Sequence, residues 1–88
     1  MNEPILTPEA AIAALAGEDN QIRYYASWWL GKHQVQSACA ALCEALFDDR
    51  YRLETGGYPL RRQAARALGQ LKNSQAVPAL IAALHCQE

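Results

Sequence analysis

The feature that most constrains this 88-residue chain is that it aligns with itself. Ile22–Gly31 (IRYYASWWLG) lies over Leu60–Gly69 (LRRQAARALG) at an offset of 38 (60 − 22), without a gap as far as Leu46 over Leu84. Arg, Ala, Leu and Gly coincide in phase. Ala11–Leu15 also lies over Leu80–Leu84 and, less closely, over Leu42–Leu46, where the offset is 31 (46 − 15). A unit of about 31 residues, with a seven-residue insertion in the second copy (38 − 31), fits two antiparallel helices per repeat. Such a unit buries only one side of itself, so the chain must fold as a stack.

Helix punctuation supports this reading. Thr7-Pro8 and Tyr58-Pro59 put proline at a first helical position, where its missing N–H costs little. Asp19 or Asn20 is suited to cap the second helix and Ser74 the last, with Pro78 in that helix's first turn. The pattern predicts an all-α domain over 1–88, with helices near 8–16, 20–34, 36–47, 59–72 and 74–86. These make about two and a half helix pairs, with an inserted loop at about 48–57. Leu60, Ala64, Leu68 and Leu71 form one apolar stripe, and Leu80, Ile81 and Leu84 another. Gly31 and Gly69, equivalent in the repeat, are expected where a neighbouring helix comes close. The pattern calls for a further helix after Glu88. The last stripe is therefore expected to be covered by more of a longer protein or by another chain, a second copy included.

Composition narrows the function. Eight Lys and Arg against nine Asp and Glu give a net charge of −1, which offers no basic surface for nucleic acid. No apolar run approaches the roughly 20 residues of a membrane span, and no signal segment opens the chain, so a cytoplasmic protein is expected. Three irregularly spaced cysteines make no disulfide framework. Cys39 and Cys43, four apart, would be half a metal site with His33, but they align with Val77 and Ile81 and read as small core hydrophobes. Cys86 is expected to be more accessible. Asp48-Asp49 reads as a solvated helix end, and no phosphate loop, nucleophile elbow or paired carboxylates appear.

Helical phase selects one face. Tyr24 and Trp28, spaced i, i+4, lie away from the Ile22–Ala26–Leu30 stripe. The offset of 38 puts Arg62 and Arg66 at equivalent places one repeat on, about 10 Å away at ordinary helix spacing. The inserted loop, with Arg50, Tyr51, Arg52 and Tyr58, starts between the same repeats and is placed to close over them. Aromatic rings beside guanidinium forks suit a flat conjugated molecule carrying carboxylates. They equally suit a protein partner, since exposed Tyr, Trp and Arg are common interface anchors. Arg23 and Arg61 read as structural pairs between helices.

Two stretches carry a family resemblance. Arg23–Lys32 (RYYASWWLGK) is similar to the aromatic-rich first repeat of the E-type (alpha) subunits of the heterodimeric phycobilin lyases. Gly56–Ala65 (GGYPLRRQAA) resembles the segment that follows their insertion. The Val77–Leu84 run (VPALIAAL) looks like the HEAT-like repeats of that superfamily. The resemblance implies a HEAT-like α-solenoid, an F-type partner subunit, and an open-chain tetrapyrrole, typically phycocyanobilin, as substrate rather than as a tightly bound cofactor. It implies attachment of that bilin by a thioether to a cysteine of a phycobiliprotein α subunit, by positioning more than by acid–base chemistry. Glu54 is a candidate for protonating the bilin. His85-Cys86-Gln87 resembles a short motif of isomerising F-type subunits. The bilin face is then Tyr24, Trp28, Arg62, Arg66, Tyr58 and Arg52. The alternative is a non-catalytic HEAT scaffold that uses the same face in phycobilisome assembly or turnover.

Overall fold

The computed structural model describes residues 7–85, which form five α-helices and two 3-10 turns. The α-helices are α1 (Pro8–Leu15), α2 (Asn20–Lys32), α3 (Cys39–Ala45), α4 (Pro59–Leu71) and α5 (Val77–His85). The 3-10 turns, Gln36–Ala38 and Ser74–Ala76, lead into α3 and α5, so these helices start three residues later than their caps suggest. The repeat survives in the backbone. The two turns are 38 positions apart (74 − 36), and so are the two non-glycine residues with left-handed backbone, Gln34 and Lys72 (72 − 34).

Each helix start has a local cause. The Thr7 hydroxyl accepts from the Ala10 N–H at 3.1 Å, with Pro8 at N1 of α1. The Asp19 carboxylate accepts from the N–H groups of Gln21 and Ile22, making Asp19 the cap of α2. Before α5 the capping side chain is Asn73, not Ser74, and it accepts from the Gln75 N–H at 2.9 Å. Asn reaches two residues ahead as a short polar turn former, which leaves Ser74 inside the 3-10 turn. Pro78 sits in the first turn of α5, as its missing donor allows.

α2 and α4 pack side by side, with α1 against α2 and α3 against α4. The slab is 36 × 33 × 18 Å, and its short dimension is that of two helix layers. Leu30, Leu42, Leu60 and Leu68 are wholly buried at its centre, and the Leu60–Ala64–Leu68–Leu71 stripe is buried throughout. Truncating one such leucine to alanine costs about 2–5 kcal/mol. The other expected stripe on α2 breaks at its start. Ala26 and Leu30 are buried, but in the first turn of α2 it is Arg23 that packs inward and Ile22 is 45% exposed. On α5, Val77, Ile81 and Leu84 are exposed, while Ala79, Leu80 and Ala83 are partly covered by the core.

Side-chain amides tie the far edge of the stack. Gln34 donates to the Gln70 carbonyl at 2.9 Å and Gln36 to the Leu71 carbonyl at 2.7 Å, so the free carbonyls at the end of α4 are met from the preceding repeat. Among the described residues no helix is long and apolar enough to cross a membrane.

Candidate functional site

Starting from the repeat-equivalent arginines, each Nε donates to a carbonyl at the end of the preceding helix. Arg23 reaches Leu15 at 3.4 Å, and Arg61 reaches Asp48. Arg23 also donates to Asn20 Oδ1 at 2.7 Å and pairs with the Asp48 carboxylate, both side chains being about 5% exposed or less. Asp48 is therefore no solvated helix end. It follows the Leu46 cap of α3 closely enough to turn inward, and the Arg23 guanidinium needs an anion there. Asp49 is exposed, as expected. Burial pushes the Asp48 carboxyl up, but the Arg23 hydrogen bond, the Tyr51 N–H and the charges of Arg23 and Arg50 together hold it below its ordinary value.

Arg23, Asp48 and Arg50 line one cavity of about 380 Å³, and the inserted loop forms one wall of a separate groove of about 440 Å³, lined by Gln21 and Tyr24 from α2, Tyr51 and Leu53 from the loop, and Pro59 at the start of α4. Tyr24 is 38% exposed there. The Tyr51 N–H is held by Asp48 Oδ2 at 3.1 Å, and the loop closes on itself through Leu53 and Gly57, whose backbones bond at 3.1 Å. Gly56 and Gly57 both have φ of 97°, a conformation that side chains resist. At Gly57 an added Cβ would also lie 3.2 Å from the Arg62 guanidinium, a tight contact to which this exposed side chain would have to yield.

The six expected site residues divide. Tyr24 lies in the groove. Trp28, one turn on, is partly buried against the core, with its ring 5.4 Å from that of Tyr25 and Lys32 Nζ 4.9 Å above it. Tyr58 lies under the Arg61 guanidinium at 3.9 Å. Arg52, Arg62 and Arg66 are exposed, and among the described residues no ion pair engages them. Of the two aromatic residues, Tyr24 lines the groove together with Tyr51, while Trp28 lies outside its lining. The residues that sequence reasoning missed are Gln21, Leu53 and Pro59. Gln21 shares a face with Tyr24 at i, i+3, a signal available from spacing, whereas Leu53 depends on how the loop folds back.

α2 and α4 together carry Arg23, Lys32, Arg61, Arg62 and Arg66 and no Asp or Glu; Arg23 is buried and neutralised by Asp48, which leaves Lys32, Arg62 and Arg66 as the exposed charges of a cationic layer. Glu54 is exposed in the loop. Cys39 is buried and Cys43 half-buried. Burial raises the Cys43 thiol pKa, as do the charge and hydrogen bond of Cys39. His33 stacks on Trp29 at 4.1 Å. Cys86 and Gln87 lie outside the described residues, and so does the expected helix end at 86.

A stack of antiparallel helix pairs whose arginines cap the preceding helix defines an α-solenoid, and the chain belongs to the HEAT repeats family, matching it over residues 8–87. Within that class the resemblance to E-type lyase subunits holds along nearly the whole chain. It is 86% identical over 86 residues to the bilin biosynthesis protein PecE of Mastigocladus laminosus, covering 98% of this chain and 32% of that protein. To the phycocyanobilin lyase subunit alpha of Nostoc sp. it is 57% identical, covering 99% of this chain and 32% of that one. The fold matches a chain in the structure of the complex of CpcE and CpcF of phycocyanin lyase from Nostoc sp. PCC7120, with a TM-score of 0.90 and 57% identity over all of this chain and 34% of that one. The chain thus spans about a third of the length of these relatives.

Proposed function

We propose that the chain is part of an E-type bilin lyase subunit that holds an open-chain tetrapyrrole for thioether attachment to a cysteine of a phycobiliprotein α subunit, in company with an F-type partner. The observation that carries this reading is the acid-free α2–α4 layer, whose exposed Arg62 and Arg66 take part in no ion pair among the described residues, together with a groove walled by Tyr24 and Tyr51. Pyrrole rings lie against the tyrosines, while the propionates meet the guanidinium forks of Arg62, Arg66 and Arg52. The relatives' names support it, as does a solved relative that is a two-subunit complex. Identities of 86% and 79% to the two proteins named PecE, against 57% and 50% to two named phycocyanobilin lyase subunit alpha, favour the PecE type. The protein acts in the cytoplasm, where its bilin is a substrate and no resident cofactor is needed.

The test is a titration with phycocyanobilin, following tryptophan quenching and the bilin absorption band, with an Arg62→Ala/Arg66→Ala double variant alongside. Saturable binding weakened at least tenfold in the variant supports the reading. Equal binding by both proteins removes the arginines from the site.

A second reading has its own observation, the exposed apolar row Val77, Ile81 and Leu84 on α5. In a scaffold for phycobilisome assembly or turnover, or in a homodimer, this row is the contact. Sedimentation of the Leu84→Asp variant separates the cases, because a self-associating chain becomes monomeric and a monomeric wild type ends the homodimer.

A further inference from the structure

The groove depends on one residue that is in neither its lining nor the cationic layer. Asp48 contacts the Tyr51 wall directly and, through Arg23 and Arg61, the two helices that carry the other walls. Through its carboxylate it pairs with Arg23, the neighbour of Tyr24 on α2. Through Oδ2 it accepts the Tyr51 N–H at 3.1 Å, in the loop wall. Through its carbonyl it accepts Arg61 Nε at the start of α4, two residues beyond Pro59, and the Arg61 guanidinium in turn lies over the Tyr58 ring. Arg50 closes the outside, with Nε 3.7 Å from Asp48 Oδ1 and Nη2 3.3 Å from the Gly17 carbonyl.

We infer that Asp48 is a positioning residue for the ligand groove, fixing Tyr51 opposite Tyr24 and joining the loop to α2 and α4. The inference rests on the groove's role as the bilin site, but the placement of Tyr51 is measurable without bilin. The loop has no helix or strand of its own between Phe47 and Tyr58, so its shape is set by a handful of bonds. Asp48 supplies the anchors nearest Tyr51. A group that positions Tyr51 differs from one that only neutralises Arg23, and the two oxygens of the carboxylate make the difference testable: Oδ1 serves Arg23 and Oδ2 serves Tyr51.

The experiment compares the two ends of the ion pair in the full chain, using Asp48→Asn and Arg23→Gln. Both variants lose the pair, but Arg23→Gln leaves the carboxylate on the Tyr51 N–H, whereas asparagine has one oxygen for two donors. Hydrogen exchange of the Tyr51 amide is read by NMR, normalised to the helix core amides, and the phycocyanobilin dissociation constant is read beside it. Asp48→Asn is expected to speed Tyr51 exchange at least tenfold and to weaken bilin binding about tenfold, with Arg23→Gln within threefold of wild type on both. Where Asp48→Asn does not fold, Asp48→Glu replaces it, keeping the charge while moving the carboxylate by a methylene, with the same result expected for Tyr51. Equal loosening by both ends of the pair, or unchanged Tyr51 exchange in the Asp48 variant, overturns the inference. Loosened Tyr51 in a chain whose wild type takes up no bilin sinks the bilin reading and leaves Asp48 as the residue that places the loop.

Discussion

Gly31 in α2 lies so close to Ala67 in α4 that a Cβ added to it would stand 2.7 Å from both the Cα and the Cβ of Ala67, with the Gln70 side-chain oxygen nearer still. The repeat-equivalent Gly69 has nothing within 4 Å of the same added atom. Close approach therefore holds for the first glycine and not for the second.

From this follows opposite behaviour on substitution. Gly31→Ala presses on a backbone that cannot move without parting α2 from α4, and is expected to destabilise by about 1–3 kcal/mol. Gly69→Ala adds a methyl in open space on a helix and is expected to stabilise by about 0.5–1 kcal/mol, through helix propensity and a stiffer unfolded chain. Urea denaturation midpoints measure both. Two changes of the same sign would mean that the inter-helix spacing at Gly31 is not the tight one.

Asp48 makes stability depend on pH with a definite sign. Burial alone would raise its carboxyl pKa, but the contacts with Arg23, Tyr51 and Arg50 lower it below the ordinary value of 3.8. A depressed folded pKa contributes stability that is fully present above the unfolded value and is lost as pH falls through the folded one. The urea midpoint is therefore insensitive to this group near neutrality and drops in acid below about pH 4. A carbon-13 NMR titration of the Asp48 carboxyl gives the direct measurement, and a midpoint at or above 3.8 would contradict the pairing. Removing the charge by Asp48→Asn strands Arg23 and costs about 3–5 kcal/mol.

Much of the fold was legible because a repeat is written twice. Leu60, Ala64, Leu68 and Leu71 are buried as their spacing demands, and helix starts fall where proline and Asp19 put them. What periodicity could not convey is which neighbour exists. Val77 and Ile81 align with Cys39 and Cys43, yet Cys39 is buried under the next repeat while Val77 and Ile81 are exposed. Asp48 was misread for a related reason. Two consecutive aspartates look solvated, and only the return of Arg23 and Arg61 from other helices makes one of them a buried node. At the site, helical phase identified Tyr24 correctly as surface but could not show that Trp28 is taken up by Tyr25 and Lys32.

Cys43 is expected to be a slow nucleophile. Burial raises its pKa from the usual 9.0, and the charge and hydrogen bond of Cys39 raise it further, so little thiolate exists at neutral pH. Iodoacetamide labelling mapped by peptide mass should modify Cys43 at least tenfold more slowly than a free cysteine peptide at pH 7.5 in the same tube. Labelling at the peptide's rate would mean an exposed, unshifted thiol, and would reopen this pair to ligand or redox chemistry.

Tyr24 and Trp28 separate binding from stability. Tyr24 is exposed in the groove, so Tyr24→Ala removes ring surface available to a ligand and little of the core. Loss of one aromatic contact, about 0.5–1.5 kcal/mol beyond its buried area, corresponds to a phycocyanobilin dissociation constant raised about tenfold with the melting temperature nearly unchanged. Trp28 packs on Tyr25 and under Lys32, so Trp28→Ala is expected to lower stability by roughly 2 kcal/mol, several degrees in melting temperature, and to affect the ligand less. Calorimetric melting and bilin titration on the two variants give the crossing. Were Trp28→Ala to abolish binding in a chain of wild-type stability while Tyr24→Ala left it intact, the ligand would lie along the middle of α2 rather than in the groove beside the loop.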